Sequence, residues 1–341
     1  MIKHQMLSVL AGLAITLAGA AAPAFAGTLD TIKSKGFVQC GVNTGLPGFG
    51  DPDSSGNWTG LDVDYCRAIA AAVFGDASKV KFTPLDAKER FTALQSGEVD
   101  VLIRNTTLTM TRDTSLGFMF TGVNYYDGQG FMVKKSLNVG SVKDLDGASV
   151  CVQSGTDTEF NLADYFKHNN MKYSPVAFEK LPDALAAFDS GRCDAYTTDL
   201  SGLYANRLGL KAPDENVILP EIISQEPLGP SVRQDDVQWF SIVKWVHYAL
   251  LDAEQYGITK ANIDDMLKSD NPAIQRLLGV TGDFGKAMGV SKEWAYNAIE
   301  AVGNYGEIFE RNVGKDSPLK ISRGVNRLWT DGGIQYGMPI V

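Results

Sequence analysis

The sequence lacks the excess of basic residues that nucleic-acid binding requires. Its 341 residues contain 31 lysines and arginines against 40 aspartates and glutamates, a formal net charge of −9. Because a protein must present a basic face to a phosphate backbone, this balance argues against a nucleic-acid partner. The 44% hydrophobic content includes 16 Phe and 12 Tyr, which excludes a low-complexity disordered chain. The chain is long enough for two hydrophobic cores.

Long apolar runs are missing after the N-terminus, so the sequence does not predict an integral membrane protein. At the N-terminus, Lys3 and His4 precede an apolar stretch at residues 6–22, and an A-x-A sequence follows at residues 24–26. This order of basic, apolar and small residues is typical of a cleaved export signal. An uncleaved membrane anchor is the alternative, but the run is short and polar residues interrupt it. We therefore expect residues 1–26 to be a signal peptide and the remainder to be periplasmic.

Histidine is scarce, and common catalytic motifs are missing from the sequence. The chain has three histidines, His4, His168 and His247, and its cysteines form no C-x-x-C pair, so no zinc site is predicted. No phosphate-binding loop, G-x-S-x-G turn or H-E-x-x-H helix occurs either. We expect a protein without metal, without cofactor and without enzymatic activity.

Four cysteines lie after the predicted signal peptide: Cys40, Cys66, Cys151 and Cys193. An even number of cysteines in an oxidising compartment favours two disulfides, with three possible connectivities. Free buried thiols are the alternative. Because two cysteines fall in each half of the core sequence, we expect the pairs Cys40–Cys66 and Cys151–Cys193.

Strand-like and helix-like segments alternate along the chain, and their order repeats about a hundred residues later. The predicted strands are 37–42, 99–103, 148–152 and 193–196, and the predicted helices include 61–73, 90–95 and 181–188. The pattern S-G-x-x-D stands between a helix and a strand in both halves, at residues 96–100 and 190–194. The alternation predicts an α/β fold of two lobes, each with a mainly parallel sheet flanked by helices. A cleft between the two lobes is expected.

Two segments are expected to cross between the lobes. Residues 126–133 place two glycines inside a strand-like run, and residues 227–233 provide a return path. We therefore expect lobe 1 to consist of residues 27–130 and 228–341, and lobe 2 of residues 131–227. The last part of the chain keeps its apolar and aromatic patterning, so we expect it to be an ordered helical extension of lobe 1.

Three motifs carry a family resemblance. Residues 60–70 read GLDVDYCRAIA, residues 100–112 read DVLIRNTTLTMTR, and residues 194–199 read DAYTTD. In this order they resemble the bacterial solute-binding proteins of the polar amino-acid type, family 3, which serve ABC importers. The one departure in the first motif is Tyr65, where an aliphatic residue or Phe is usual. The resemblance implies a type II periplasmic binding protein fold, in which two hinge segments join two lobes.

Longer stretches resemble one branch of that family. Residues 88–100, 128–133 and 303–311 are similar to the general L-amino-acid binding proteins of Gram-negative bacteria, and the long C-terminal region fits the same branch. The resemblance implies a periplasmic protein that captures L-amino acids of broad range and delivers them to inner-membrane ABC permease subunits. We expect it to work as a monomer.

The resemblance also implies a ligand site. A free amino acid carries a carboxylate and an ammonium, and each must be paired when a cleft closes over it, since burying a bare charge costs several kcal/mol. Arg112 matches the family's carboxylate-binding arginine, and Asp199 matches its ammonium-binding acid. Thr107 and the carbonyl of Asn105 would help the ammonium, and Thr156, with the neighbouring Asp157, would present helix N-terminal N–H groups to the carboxylate. The alternatives are a surface arginine and an aspartate that caps a helix.

Side-chain selectivity is expected to come from three other positions. Asn43 stands where relatives with basic ligands have an acid, and Leu46 stands where many have an aromatic residue, which fits a permissive pocket. Arg104 stands where small polar residues are common. Our hypothesis is that Arg104 favours Glu and Asp as ligands, and the alternative is a rim arginine paired with a surface acid. Asp62 and Asp64 are expected to be structural caps or surface charges and not ligand-binding groups.

Two other functions fit the same fold. A periplasmic lyase or dehydratase would need a general acid poised over its substrate, and the predicted cleft residues offer no additional acid or histidine. A sensory adaptor that docks on a chemoreceptor is the third possibility, and the sequence does not separate it from a transport role. In the transport function, the ligand shifts a hinged clamp from open to closed by contacting both lobes.

Overall fold

The computed structural model describes residues 27–341, so the predicted signal peptide lies outside the described residues. The strands are β1 (Val38–Asn43), β2 (Asp51–Pro52), β3 (Trp58–Thr59), β4 (Val80–Leu85), β5 (Val101–Leu102), β6 (Phe118–Phe120), β7 (Tyr125–Asp127), β8 (Gln129–Lys134), β9 (Ser149–Gln153), β10 (Ser174–Phe178), β11 (Ala195–Asp199), β12 (Asn216–Ile218), β13 (Glu226–Leu228) and β14 (Ser231–Arg233). The α-helices are α1 (Thr28–Lys35), α2 (Leu61–Phe74), α3 (Glu89–Ser96), α4 (Asp157–His168), α5 (Leu181–Asp189), α6 (Leu200–Leu208), α7 (Val237–Gln255), α8 (Ile263–Met266), α9 (Pro272–Leu277), α10 (Trp294–Val302) and α11 (Tyr305–Asn312).

Two five-stranded sheets form the centres of two lobes, and this confirms the predicted two-lobed α/β fold. Their strand orders are β4-β1-β5-β14-β6 and β10-β9-β11-β8-β12. In each sheet the three strands of the strand–helix repeat pair in parallel, and the other two are antiparallel to their neighbours. The sheets are therefore mixed. Local sequence periodicity does not reveal this, because β8 and β14 enter their sheets directly after the chain crosses between lobes.

Helix α2 packs between the first sheet and the helices of the C-terminal region. Gly60 precedes the helix with φ +133°, and a Cβ there would lie 2.0 Å from the carbonyl oxygen of Phe49, so only glycine fits. The helix is apolar on nearly every side and packs against α7 and α10. The C-terminal helices therefore cover the core of the first lobe, as a helix buried all round requires.

Each lobe contains one disulfide. Cys40 in β1 is bonded to Cys66 in α2, with their Cα atoms 6.1 Å apart. Cys151 in β9 is bonded to Cys193, which stands two residues before β11, with a Cα separation of 5.6 Å. These are the two pairs that the distribution of cysteines predicted, and each joins elements of a single lobe.

The two lobes are joined by a small antiparallel pair of strands, β7 and β13. Glu226 lies opposite Asp127, and Leu228 opposite Tyr125. We call this pair the hinge. Within residues 27–341, no helix is both long and apolar enough to span a bilayer.

Candidate functional site

A cavity lies between the lobes at the carboxyl ends of their parallel strands. Its free space is about 430 Å³, including the opening to solvent. The first lobe contributes Asn43, Leu46, Arg90, Arg104 and Asn105, and the second contributes Gln153, Thr156, Asp157, Thr158, Leu181, Tyr196, Thr198, Asp199, Gly202 and Asn206. Loops at the carboxyl edge of a parallel sheet can present ligand-binding groups, so both lobes can contribute such groups to this cavity. Of the residues predicted for the site, Thr107 and Arg112 do not line this cavity.

Asp199 ends strand β11 and directly precedes helix α6, so it could have been the cap of that helix. Its side chain makes no capping hydrogen bond. The capping role belongs to Asp127, whose carboxylate accepts hydrogen bonds from the backbone N–H of Ser201 at 3.2 and 3.4 Å. The Asp199 carboxylate is therefore free to bind a ligand. Burial, followed by the nearby charges of Asp127, Glu226 and Asp157, raises its pKa well above the ordinary value.

Two arginines of the first lobe line the cavity without a carboxylate partner. Arg104 donates from Nε to the carbonyl of Leu85 at 3.1 Å, and burial lowers its pKa to about 10, so it stays charged at neutral pH. Arg90 donates from Nη1 to Thr106 Oγ1 at 3.2 Å, and its buried Nε has no hydrogen-bond partner among the described residues. Neither guanidinium takes part in an ion pair anywhere in residues 27–341.

Arg90 was not predicted as a site residue, although the sequence contains a signal for it. It lies near the start of α3 and shares the buried face of that helix with Ala93 and Leu94. A charge on an apolar helix face is costly unless something compensates it. Its guanidinium stacks over Phe91, with a distance of 4.7 Å from Cζ to the ring centroid. Burial, then repulsion from Arg104 and Arg112, lowers the pKa of Arg90.

The loop after β5 is held in an unusual backbone conformation. Asn105 has φ +35°, and its backbone N–H donates to Asp62 Oδ2 at 2.8 Å. Asn43 Nδ2 donates to Asn105 Oδ1 at 2.9 Å, so both asparagines are used in positioning each other. Burial raises the pKa of Asp62 to about 6. Asp64 lies outside the cavity and pairs with Arg311 at 2.7 Å.

Thr107 and Arg112 lie beside the cavity and bind other protein groups. Thr107 Oγ1 donates to Glu226 Oε2 at 2.7 Å. Arg112 sits on a single π-helical turn, Thr111–Ser115, and donates from Nη1 to the carbonyl of Thr107 at 2.8 Å. Its Nη2 lies 3.2 Å from Asp157 Oδ1 in the second lobe. Arg112 therefore forms an ion pair that bridges the two lobes.

Two carboxyl groups share this bridge. Burial is the largest influence on Asp157 and acts to raise its pKa. The charges of Arg112 and Arg90 and the hydrogen bonds from Glu226 and Thr107 together outweigh it, so the pKa is lowered. Burial and the charge of Asp157 raise the pKa of Glu226 to about 8. Glu226 is therefore protonated over much of the neutral range and accompanies an ionised Asp157.

Thr156 lines the cavity but uses its side chain within its own lobe. Its Oγ1 accepts from the N–H of Glu159 at 3.3 Å, which caps helix α4, and donates to the carbonyl of Gln153 at 2.6 Å. Helix α4 begins at this cavity, so the positive end of its dipole faces the space between the lobes.

The comparison with known proteins identifies the family. The sequence profile described as bacterial extracellular solute-binding proteins, family 3, matches residues 38–279. The chain belongs to this family. The resemblance found in the three motifs is confirmed, and so is the type II binding-protein fold.

Relatives match nearly the whole chain. It is 64% identical over 340 residues to the general L-amino acid-binding periplasmic protein AapJ of Rhizobium johnstonii, covering 99% of both chains. It is 55% identical over 328 residues, 96% of both chains, to the glutamate/glutamine/aspartate/asparagine-binding protein BztA of Rhodobacter capsulatus. A solved periplasmic binding protein of an ABC transporter from Brucella ovis, with glutathione bound, is 63% identical with a TM-score of 0.91. That match covers 92% of this chain and 99% of the other.

Proposed function

We propose that this family member is the periplasmic component of an ABC importer, that it captures L-amino acids of broad range, and that it favours ligands with a second carboxylate. The ligand lies in the cavity between the lobes, and the closed protein delivers it, chemically unchanged, to the membrane permease. The protein acts as a monomer. Lobe 1 comprises residues 27–126 and 227–341, and lobe 2 comprises residues 127–226. The crossings are put slightly before the expected limits of 130 and 227, because β8 pairs within the second-lobe sheet from Gln129 onward.

The charge of the cavity between the lobes carries this proposal. Asp199 supplies one carboxyl group, and Arg90 and Arg104 supply two guanidiniums, none of them with an ion-pair partner in the described chain. Burial raises the pKa of Asp199, and a ligand ammonium beside it would favour its ionised form. With its ammonium on Asp199 and its α-carboxylate on Arg112, an amino acid with a neutral side chain brings no charge to Arg90 or Arg104. Glutamate, aspartate or a γ-glutamyl compound brings a second carboxylate, which lies beside both guanidiniums and compensates one of the two charges. Since an unpaired buried charge costs several kcal/mol, the dicarboxylic ligand should bind more tightly.

The groups of the ligand are assigned by charge. The ammonium lies on Asp199, and the second carboxylate lies near Arg104 and Arg90. The α-carboxylate lies on Arg112 and displaces Asp157 from it. Arginine suits this role because its planar guanidinium can form two parallel hydrogen bonds to one carboxylate. Asn43, Asn105 and Thr156 shape the walls, while Thr107 acts through its bond to Glu226 and not through ligand contact.

Closure follows from this division of groups between the lobes. Arg90, Arg104 and Arg112 belong to the first lobe, while Asp199 and the start of helix α4 belong to the second. Only the closed form brings all of them to one ligand, so the ligand shifts the equilibrium toward that form. The two relatives named for amino acids and the solved relative with bound glutathione all fit a ligand of this class.

Calorimetry with purified mature protein tests the ligand class. The titrants are the common L-amino acids, several D forms, and glutathione. We expect heat from many L forms and few D forms, with Glu and Asp the tightest. In the variant Arg104→Ala, affinity for Glu should fall about tenfold to a hundredfold while affinity for Leu changes little, because only Glu places a charge beside this residue.

The matched control for Arg104→Ala is Arg192→Ala, an exposed arginine of the second lobe that should leave both affinities unchanged. Equal losses for Glu and Leu in Arg104→Ala would show that Arg104 does not select the side chain. Absence of binding for every amino acid would overturn the proposed function itself. Mass spectrometry of the ligand after incubation should recover it unaltered, and a new product would indicate an enzyme.

A further inference from the structure

The hinge strand β7 is bonded to side chains from the far end of the chain. Asn326 Oδ1 accepts from the backbone N–H of Tyr126 at 2.7 Å, and Asn326 Nδ2 donates to the backbone carbonyl of Tyr126 at 2.9 Å. Asn326 is 4% exposed. One carboxamide therefore satisfies both polar backbone groups of a single hinge residue.

These two bonds take the place of a missing neighbouring strand. In an extended strand, the N–H and the C=O of one residue point to the same side. Strand β13 pairs with β7 on one side only, so the groups of Tyr126 that reach Asn326 lie on the open side of a two-stranded pair. A carboxamide has the same donor and acceptor as a peptide group. The side chain of Asn326 thus makes the two hydrogen bonds that a residue of a neighbouring strand would make to Tyr126.

Two more side chains reach the segment that leads into β7. Tyr305 Oη donates to the carbonyl of Asn124 at 2.9 Å. Gln335 Nε2 donates to the carbonyl of Val123 at 3.0 Å. We call Tyr305, Asn326 and Gln335 the hinge brace.

The hinge brace is anchored in the first lobe. Asn326 ends a short helical turn, and its carbonyl accepts from Arg323 Nη2 at 2.9 Å. Arg323 is paired with Glu254 near the end of α7, the long helix packed on the first-lobe core. The backbone of Tyr126 is therefore fixed to the first lobe through Asn326, Arg323 and α7.

The next residue along the hinge is fixed to the other lobe. The carboxylate of Asp127 binds the N–H of Ser201 at the start of α6, and the carbonyl of Gly128 accepts from the N–H of Leu200 at 2.7 Å. Tyr126 is therefore hydrogen-bonded to the first lobe, and Asp127, the next residue, to the second. A rotation of the lobes must be absorbed within this short step, since both sides of it are held.

The return strand β13 passes from the second lobe to the first at residues 226 and 227, which lie opposite Asp127 and Tyr126. The carbonyl of Pro227 accepts from the N–H of Leu108 in the first lobe at 2.8 Å. The carboxyl group of Glu226 accepts from Asn161 Nδ2 in the second lobe at 2.7 Å and from Thr107 Oγ1 in the first lobe at 2.7 Å, so this residue is held by both lobes. The places where the two hinge strands pass between the lobes therefore lie side by side in the β7–β13 pair, with Pro227 opposite Tyr126.

All three residues of the hinge brace lie beyond residue 279, where the family match ends. We propose that the C-terminal extension sets the closing movement of this protein: Tyr305, Asn326 and Gln335 are positioning residues that confine lobe rotation to the step 126/127 and the facing residues 226 and 227, and so favour ligand capture. The inference rests on the proposed function, because it supposes a clamp that closes on a ligand. A loosened hinge must lose more conformational freedom on closing, so ligand binding should weaken.

The test combines affinity with the shape of the ligand-free protein. The variant Asn326→Ala should bind L-glutamate about fivefold to tenfold more weakly by calorimetry. Its ligand-free form should show a larger and broader range of dimensions in small-angle X-ray scattering. The variant Tyr305→Phe removes the bond to the carbonyl of Asn124 and the longer bond from Gln335 Nε2 at 3.3 Å, but it keeps the buried ring. It should show a smaller shift in the same direction, so the test survives if Asn326→Ala does not fold.

Asn262→Ala is the matched control, since Asn262 also accepts from a backbone N–H at 2.7 Å and donates to a carbonyl at 2.9 Å, but in a turn away from the hinge. It should lower Tm without changing affinity or scattering. Unchanged or tighter binding in Asn326→Ala and Tyr305→Phe would overturn the inference, as would equal effects of Asn262→Ala. Failure of the wild-type protein to bind any amino acid would count against the proposed function, and the scattering comparison would then still judge the brace.

Discussion

Asp199 is available to a ligand because another aspartate, Asp127, caps helix α6 in its place. Aspartates directly before a helix usually cap it. Here Asp127 reaches from the hinge strand to cap α6, and Asp199 stays without a hydrogen bond from that helix. A buried carboxylate without a protein partner has a strong preference for a cation, so the binding of an ammonium group would restore the balance.

We expect Asp199→Asn to lose amino-acid binding by on the order of 100-fold or more, because the ligand ammonium would be buried without its counter-charge. Calorimetry at pH 7 measures the loss. Asp194→Asn is the control, since Asp194 ends the second S-G-x-x-D pattern but bonds to Ser149 at the far end of the strand. Affinity of Asp199→Asn within a few-fold of the wild type would show that the ammonium lies elsewhere.

At the scale of the element, the hinge strand β13 contains a carboxyl group whose protonation depends on its surroundings. Glu226 accepts from Thr107 Oγ1 in the first lobe and from Asn161 in the second, beside the ionised Asp157. Burial and this neighbouring charge raise its pKa from 4.5 to about 8. The folded protein therefore binds a proton that the unfolded chain releases between these two values.

This proton makes stability depend on pH with a defined sign. The contribution of Glu226 to stability is fully present below pH 4.5 and is lost as the pH rises through about 8. Glu226→Gln removes the titrating group and keeps an oxygen acceptor. We expect the Tm of the variant, relative to the wild type, to increase from pH 5 to pH 8.5 in thermal unfolding. Parallel profiles for the two proteins would contradict the raised pKa.

At the scale of the whole molecule, the ion pair between Arg112 and Asp157 joins the two lobes at 3.2 Å. Two interpretations of this pair predict opposite results. If the ligand carboxylate replaces Asp157 on Arg112, the aspartate competes with the ligand. If the pair is only a latch that holds the closed form, the aspartate assists binding.

The proposed function predicts competition, so Asp157→Asn should bind L-amino acids several-fold more tightly in calorimetry. Glu159→Gln is the control, because it changes a charge in the same first turn of α4 without contacting Arg112. Weaker binding in Asp157→Asn would exclude Arg112 as the carboxylate anchor and would favour the latch.

The sequence by itself determined the architecture and much of the binding chemistry. Strand–helix periodicity, the repeated S-G-x-x-D pattern and the family motifs were sufficient for two α/β lobes, because these features depend on residues close together in the chain. The distribution of four cysteines favoured the pairs Cys40–Cys66 and Cys151–Cys193 among three connectivities, and the structure contains these two pairs. Asp199 ends one strand and Arg104 follows another, at the edge where a parallel sheet presents ligand-binding groups, and the structure places both at the cavity.

Only the tertiary structure decided which charged and polar groups are already paired within the protein. Arg112 meets Asp157, Thr107 meets Glu226, and Asn326 meets Tyr126 across sequence separations of 45, 119 and 200 residues. Arg90 has no ion-pair partner in the described residues, and its place at the cavity follows from the packing of α3. The state of a buried charge depends on every group around it in space, and those groups come from both lobes and from the C-terminal extension. Local patterns in a sequence do not contain that information.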